Sequence, residues 1–295
     1  MTVFATPTDV ATHGEYTINH TADDPRPLYR FAGRITTDGS TPFAPEPGRY
    51  HLYSGLFCPW AQRSVLVIEL AGLGDAVSVS YVDHSRDARG WAFREEQGAD
   101  PVNGFTLLRD AYEATEPGFD GHVSVPALWD RATGTLVSNS YGLIDIDLAT
   151  RFGGDGIELY PHDLRSAIDE LDGWIGPDVN QGTRLALGDD PAAREAARVL
   201  DDAFARLDDR LAGSRYLLGE RLTLADVRLW VTLVRHDARA AGSSTSRLAE
   251  RPALWRYARD LYSLPAFSGT TDFGSFGGTP EVQAEWATLP VTQEA

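Results

Sequence analysis

Hydrophobic positions along the first half of the chain alternate between strand and helix periods. Tyr50-His51-Leu52-Tyr53 reads as a strand, and Ala61–Ala71 reads as a helix stopped by Gly72. Val77-Ser78-Val79-Ser80-Tyr81-Val82 alternates as a second strand. Together they predict a β-α-β unit with parallel strands and a right-handed crossover. A long excursion over 83–121 follows, with Gly90-Trp91 and a short helical stretch near Thr106–Tyr112. Ser124–Trp129 and Thr135–Val137 flank Asp130-Arg131-Ala132-Thr133-Gly134, a turn suited to an antiparallel hairpin. A helix over Tyr141–Ala149 closes the unit. The order β-α-β-(insert)-β-β-α predicts a thioredoxin-like α/β domain.

From Leu164 the pattern turns helical, which predicts an all-α second half. Asp190-Pro191 supplies a cap and first helical position, after which Ala196, Leu200, Ala203, Leu207 and Leu211 recur at spacings of 4, 3, 4 and 4. Thr223 with Asp226 forms a short-chain capping box opening another helix, so Asp226 reads as structural. Pro252–Tyr262 is a further helix. The expected organisation is an extended leader over 1–46, a thioredoxin-like domain over 47–150, a helical domain over 151–267 and an irregular Gly- and Thr-rich tail over 268–295.

Composition narrows the class. The chain has 295 residues and a net charge of −17, which argues against nucleic acid or an anionic membrane surface as partner. Met1-Thr2-Val3-Phe4-Ala5-Thr6 lacks a basic, apolar signal pattern, and no apolar run is long enough to span a bilayer. One cysteine excludes an internal disulfide, so the expected setting is the cytoplasm. The seven histidines lack metal-site spacing, and no metal is expected.

That cysteine, Cys58, carries the candidate chemistry. It lies between the first strand and a helix begun by Pro59, at the N-cap, where unbonded amides and the helix dipole favour an anion. Such placement, near a cation such as Arg63, favours a reactive thiolate. Arg63 also fits the description of an ordinary solvated helical cation.

Five ordered strings carry a family resemblance. They are Cys58-Pro59-Trp60-Ala61-Gln62-Arg63, Gly90-Trp91, Val123-Ser124-Val125-Pro126-Ala127-Leu128-Trp129-Asp130, Ile168-Asp169-Glu170-Leu171-Asp172-Gly173-Trp174 and Leu222-Thr223-Leu224-Ala225-Asp226-Val227-Arg228-Leu229-Trp230. Over about residues 27–267 the chain resembles the glutathionyl-hydroquinone reductases, the Xi-class, omega-like glutathione transferases, as a divergent member. The resemblance implies a thioredoxin-like domain joined to a helical glutathione-transferase domain, a homodimer, and a thiol transferase/reductase using Cys58. It implies a cis bond before Pro126, the Val125 backbone as an edge for a peptide-like thiol, and Trp91 packed against that thiol.

The departures are as informative. Where the family has Asn-Glu-Ser, with Glu and Ser holding the γ-glutamyl end of glutathione, this chain has Asn139-Ser140-Tyr141. The family's Arg three residues before the Val-Pro is His122. Two pocket tyrosines do not align: one position falls near Arg184, the other in the tail. The expected co-substrate is therefore glutathione or a sugar thiol such as mycothiol, with a quinone-type or other electrophile conjugate as its partner. Tyr53, Tyr141 and Tyr257 are candidate proton donors. A biosynthetic enzyme of the same type with a private substrate, or a non-catalytic glutathione-transferase-like binding module, are the competing expectations.

Overall fold

In the computed structural model, residues 3–21, 23–188, 190–241 and 245–288 are described. The chain divides into two compact units, Met1–Gly156 and Ile157–Ala295. Among the described residues, no helix is long and apolar enough to cross a membrane.

The first unit is built on a four-stranded sheet ordered β2-β1-β3-β4, from β1 (Tyr50–Ser54), β2 (Val77–Tyr81), β3 (Ala127–Asp130) and β4 (Thr135–Ser138). β1 runs parallel to β2 and antiparallel to β3, and β3 pairs antiparallel with β4. β1 therefore has neighbours on both sides and all five of its residues are buried. His51 is accommodated there because Ser78 and Ser80 of β2 bond its two ring nitrogens at 2.7 and 2.8 Å. The ladder starts at Ala127 rather than at Ser124, since Pro126 has no N–H to offer it.

Four helices lie in this unit among the described residues. A short α1 (Val10–His13) lies in the leader, and α2 (Pro59–Leu70) follows β1 directly. α3 (Leu108–Thr115) begins where the Asp110 carboxylate accepts from the Leu107 N–H at 3.1 Å. α4 (Tyr141–Arg151) packs beside α2, joined by the Ser64 hydroxyl donating to Asp145 at 2.6 Å.

The leader straps this unit by specific bonds. The Ala5 N–H donates to Phe93 O at 3.0 Å, and the Asp9 N–H to Asp87 at 2.9 Å. Phe31 exchanges bonds with Asn139: its N–H donates to Asn139 Oδ1 and its carbonyl accepts the Asn139 N–H. The Gly33 N–H then donates to Val137 O at 2.9 Å, so the leader extends the sheet beyond β4. A Cβ at Gly33 would stand 2.5 Å from Val137 O, which makes glycine the residue that permits this approach. Arg34 and the Ile35 N–H both bond the buried Asp147 of α4.

The second unit is helical. A helix runs through α5 (Arg165–Ile175), a π-helical segment Gly176–Gln181 and α6 (Gly182–Leu185). α7 (Pro191–Leu211) starts with the Asp190 carboxylate accepting from Ala193 N–H and buries Leu200, Ala203, Leu207 and Leu211. α8 (Leu224–Ala240) is buried on nearly every face and opens with the Thr223/Asp226 capping box. Asp226 also accepts from the Leu217 N–H and the Tyr257 hydroxyl, which ties α8 to α9 (Pro252–Tyr262).

The tail from 268 is not irregular as far as it is described. α10 (Pro265–Gly269) leads to a 3-10 turn at Phe273–Phe276 and to α11 (Pro280–Ala287), capped by Thr279. Trp286 anchors it: the ring is 1% exposed and packs edge-on to Trp230 and Trp255, and its indole N–H donates to Asp237 at 2.9 Å. A two-turn helix held by one aromatic has no periodicity to read. The last part of the expected tail, 289–295, lies outside the described residues.

Candidate functional site

Cys58 is the N-cap of α2, with extended backbone angles (φ −92°, ψ 116°) and Pro59 as the first helical residue. A turn from Gly55 O to the Cys58 N–H at 2.9 Å carries the chain from β1 into the helix. The sulfur is half-buried, and its thiol faces Val125 O at 3.7 Å. The Val125–Pro126 bond is cis. The thiol thus stands between a helix N-terminus and the backbone that precedes β3, packed against the apolar core of the sheet's insert face.

Aromatic rings surround it. Trp60 stacks on Tyr141 with centroids 5.1 Å apart and planes 20° from parallel. Arg63 is buried, with its guanidinium carbon 4.5 Å from the Trp60 ring centre and 5.8 Å from that of Tyr141. It is a cation packed on aromatic faces, not a solvated one. Tyr29, from the leader, meets Tyr141 edge to face. Its phenol is raised from the ordinary tyrosine value by burial first, then by the charges of Tyr141 and Cys58.

A second cluster includes Trp91. Phe57 lies against Trp91 with centroids 4.3 Å apart, and the guanidinium carbon of Arg86 sits 4.2 Å from the ring centres of both Trp91 and Tyr16. The Tyr16 hydroxyl bonds His122 Nδ1 at 3.1 Å and accepts the Val123 N–H at 3.0 Å. Burial, followed by the charge of Arg86, pulls His122 down to about 4, so its ring is neutral at neutral pH.

Of the residues singled out in the sequence, Cys58, Val125, Pro126 and Arg63 gather around the α2 N-terminus, and Ser140 and Tyr141 open α4 beside it. Ser140 holds the helix start through its carbonyl, which accepts the Leu143 and Ile144 N–H groups. Two of the three proton-donor candidates are structural. Tyr53 is fully buried and bonds Asp100 and Asn103, and Tyr257 is buried against Asp226. Sequence reading missed Tyr29, Tyr16 and Arg86. The two tyrosines lie in a leader without periodicity and Arg86 in a loop, so no local signal marked them. It also missed that Asp83, His84 and Glu96 bring one ligand atom each within 4.8 Å of one another. Two of those three side chains are exposed, and Asp83 is held by Arg94 at 3.0 Å.

Residues 190–260 match the family model described as glutathione S-transferase, C-terminal domain. Over 260 residues the chain is 37% identical to the glutathionyl-hydroquinone reductase YqjG of Escherichia coli K12, covering 82% of this chain and 79% of that protein. The chain belongs to the glutathionyl-hydroquinone reductase family. It is an enzyme of the glutathione-transferase-like thiol oxidoreductase type, with the two-part fold the motifs implied. The glutathione-bound structure of the E. coli protein superposes with a TM-score of 0.78 at 35% identity, over 83% of this chain and 86% of that one. The Xi-class glutathione transferase of Natrialba magadii gives 0.79 at 33% identity, over 88% and 84% of the two chains.

Proposed function

We propose that the protein is a reductase that strips a low-molecular-weight thiol from thioether conjugates of quinone-type or other electrophiles, with Cys58 as nucleophile. One observation carries this reading: the cysteine caps a helix N-terminus with its sulfur beside Val125 O, half-buried among aromatic rings. The helix end favours the thiolate, which is the attacking species.

In this scheme the Cys58 thiolate attacks the thioether sulfur of the conjugate. An S–S bond forms and the S–C bond to the aromatic ring breaks. The electron pair leaves with the carbon, which takes a proton and departs as hydroquinone. The sulfur has been oxidised to the disulfide level and the ring carbon reduced. A second carrier thiolate then attacks the mixed disulfide, releasing the carrier disulfide and restoring Cys58. Tyr29 is the proposed proton donor, since its ring stands against Tyr141 in the aromatic wall beside the start of α2 and its phenol, like any tyrosine's, carries its proton at neutral pH. Trp91 and the Val125 backbone are the surfaces offered to the carrier thiol, with His122 behind them.

A second reading concerns the carrier. Glutathione is bound in the structure of the E. coli relative. In this chain the start of α4 carries Ser140 and Tyr141, and Tyr141 is already packed between Trp60 and Tyr29. Neither side chain offers a carboxylate to the γ-glutamyl amine of glutathione, and charge-assisted hydrogen bonds of that kind are the strong ones. An aromatic wall suits a sugar ring, which favours mycothiol. Calorimetry with the two thiols tests this directly: tighter binding of mycothiol is expected, and tighter binding of glutathione overturns the choice of carrier while leaving the role of Cys58 intact.

A further inference from the structure

The loop that follows β2 brings together three side chains of metal-ligating type that the proposed chemistry at Cys58 does not use. Asp83 and His84 lie just past the end of β2, and Glu96 lies beyond Trp91 on the returning stretch. His84 Nδ1 stands 3.4 Å from Asp83 Oδ1 and 3.7 Å from Glu96 Oε1. The three ligand atoms all fall within 4.8 Å of one another. A divalent ion held tetrahedrally at bond lengths of about 2.0–2.2 Å spaces its ligand atoms about 3.4 Å apart. The first spacing already has that value, and rotation of the exposed Glu96 side chain brings in the rest.

Asp83 distinguishes this group from an ordinary surface cluster. The residue is only 6% exposed, and one of its oxygens, Oδ2, accepts from Arg94 Nη1 at 3.0 Å. The other oxygen, Oδ1, is buried and has no hydrogen-bond partner among the described residues, although it faces His84. A buried carboxylate oxygen left without a donor costs free energy, and a cation at Oδ1 removes that cost. Arg94 already supplies the outer contact that orients a ligating carboxylate. The frame is fixed on both sides. The Asp83 N–H donates to Ala92 O at 2.9 Å, and Arg94 Nε donates to Thr6 O of the leader at 3.0 Å.

We propose that Asp83 Oδ1, His84 Nδ1 and Glu96 Oε1 bind one divalent transition-metal ion of the zinc type. One imidazole nitrogen with two carboxylate oxygens suits Zn²⁺, whereas Ca²⁺ and Mg²⁺ favour all-oxygen sets and Cu⁺ favours sulfur. Three protein ligands leave the fourth position to solvent, on the side where His84 and Glu96 are exposed. The ion joins the end of β2 to the segment that follows Trp91. Neither Cys58 nor the carrier thiol takes part in the site.

The test uses the full-length protein carrying Cys58→Ser, so that no thiolate competes for the metal. It is stripped with a chelator and titrated with Zn²⁺ by calorimetry. One ion per chain is expected. His84→Ala and Glu96→Ala, added separately to that protein, are each expected to weaken Zn²⁺ by about tenfold or more. Both side chains are exposed, so both variants retain the fold. Absence of stoichiometric Zn²⁺ binding, as expected of a plain histidine–carboxylate contact, overturns the proposal. So does binding that either substitution leaves unaltered, which would put the ion elsewhere on the chain.

Discussion

Tyr29 and Tyr141 meet edge to face, with ring centroids 5.8 Å apart and planes at 84°. One comes from the non-periodic leader and the other opens α4, so this contact makes the leader part of the wall around Cys58. Tyr141 in turn stacks on Trp60, two residues beyond the cysteine. A segment with almost no regular structure thereby delivers an aromatic ring to the cluster at the start of α2.

Tyr29→Phe keeps the ring contact and removes only the hydroxyl. Turnover of a hydroquinone thioether conjugate is expected to fall about a hundredfold in kcat, the scale of one general-acid contribution. Alkylation of Cys58 by iodoacetamide is expected to stay within about twofold, because the sulfur's own surroundings are kept. Steady-state kinetics and alkylation rates on the same samples check this, and an unchanged kcat removes Tyr29 from the chemistry.

Cys58→Ser is expected to abolish reductase turnover, by more than about a thousandfold, as removal of a nucleophile does. Its thermal midpoint should stay close to that of the parent, since the sulfur is half-buried and the exchange is nearly isosteric. A variant that retains activity removes Cys58 from the chemistry.

The leader is held by a nearly buried carboxylate. Asp147 accepts from Arg34 Nε at 3.0 and 3.1 Å, from Arg34 Nη2 at 2.6 Å and from the Ile35 N–H at 2.9 Å. Asp147→Ala leaves that buried N–H without its acceptor, while Arg34, whose side chain is 36% exposed, regains water. The expected cost is about 2–3 kcal/mol, read as a lower urea midpoint with an unchanged slope. Activity should drop more than Cys58 alkylation, because the leader that carries Tyr29 loosens.

His51 gives the fold an acid weakness. Its ring is fully buried on β1, and desolvation lowers it to about 4 from 6.5. Below 6.5 the unfolded chain takes up a proton that the folded ring refuses, so stability falls as pH drops toward 4 and this contribution is gone below it. Over that window His51 alone accounts for about 3 kcal/mol. His51→Phe should flatten the slope of unfolding free energy between pH 6.5 and 4 without abolishing it, since His122 is lowered in the same way. An identical slope in parent and variant contradicts the assignment.

What could be read along the chain was local. The strand–Cys58–Pro59–helix junction, the hairpin turn after Asp130 and the Thr223/Asp226 box are each fixed by a few consecutive residues, and the structure has all three. What could not be read depends on distant partners. Tyr29 is placed by a leader whose Phe31 bonds Asn139, 108 residues away. Arg63 is buried because Trp60 and Tyr141 come together over it, which its position in α2 does not reveal. α11 exists because Trp286 finds Asp237 and the aromatic cluster around Trp230. Long-range pairing decided these cases, and no period or propensity announces it.

Intact-mass spectrometry of the enzyme, acid-quenched during turnover of a hydroquinone thioether conjugate with limiting carrier thiol, tests the central claim most directly. The account predicts a protein heavier by one carrier thiol, mapped to Cys58 and reversed by added thiol. Product released while Cys58 stays unmodified at every quench time would contradict it.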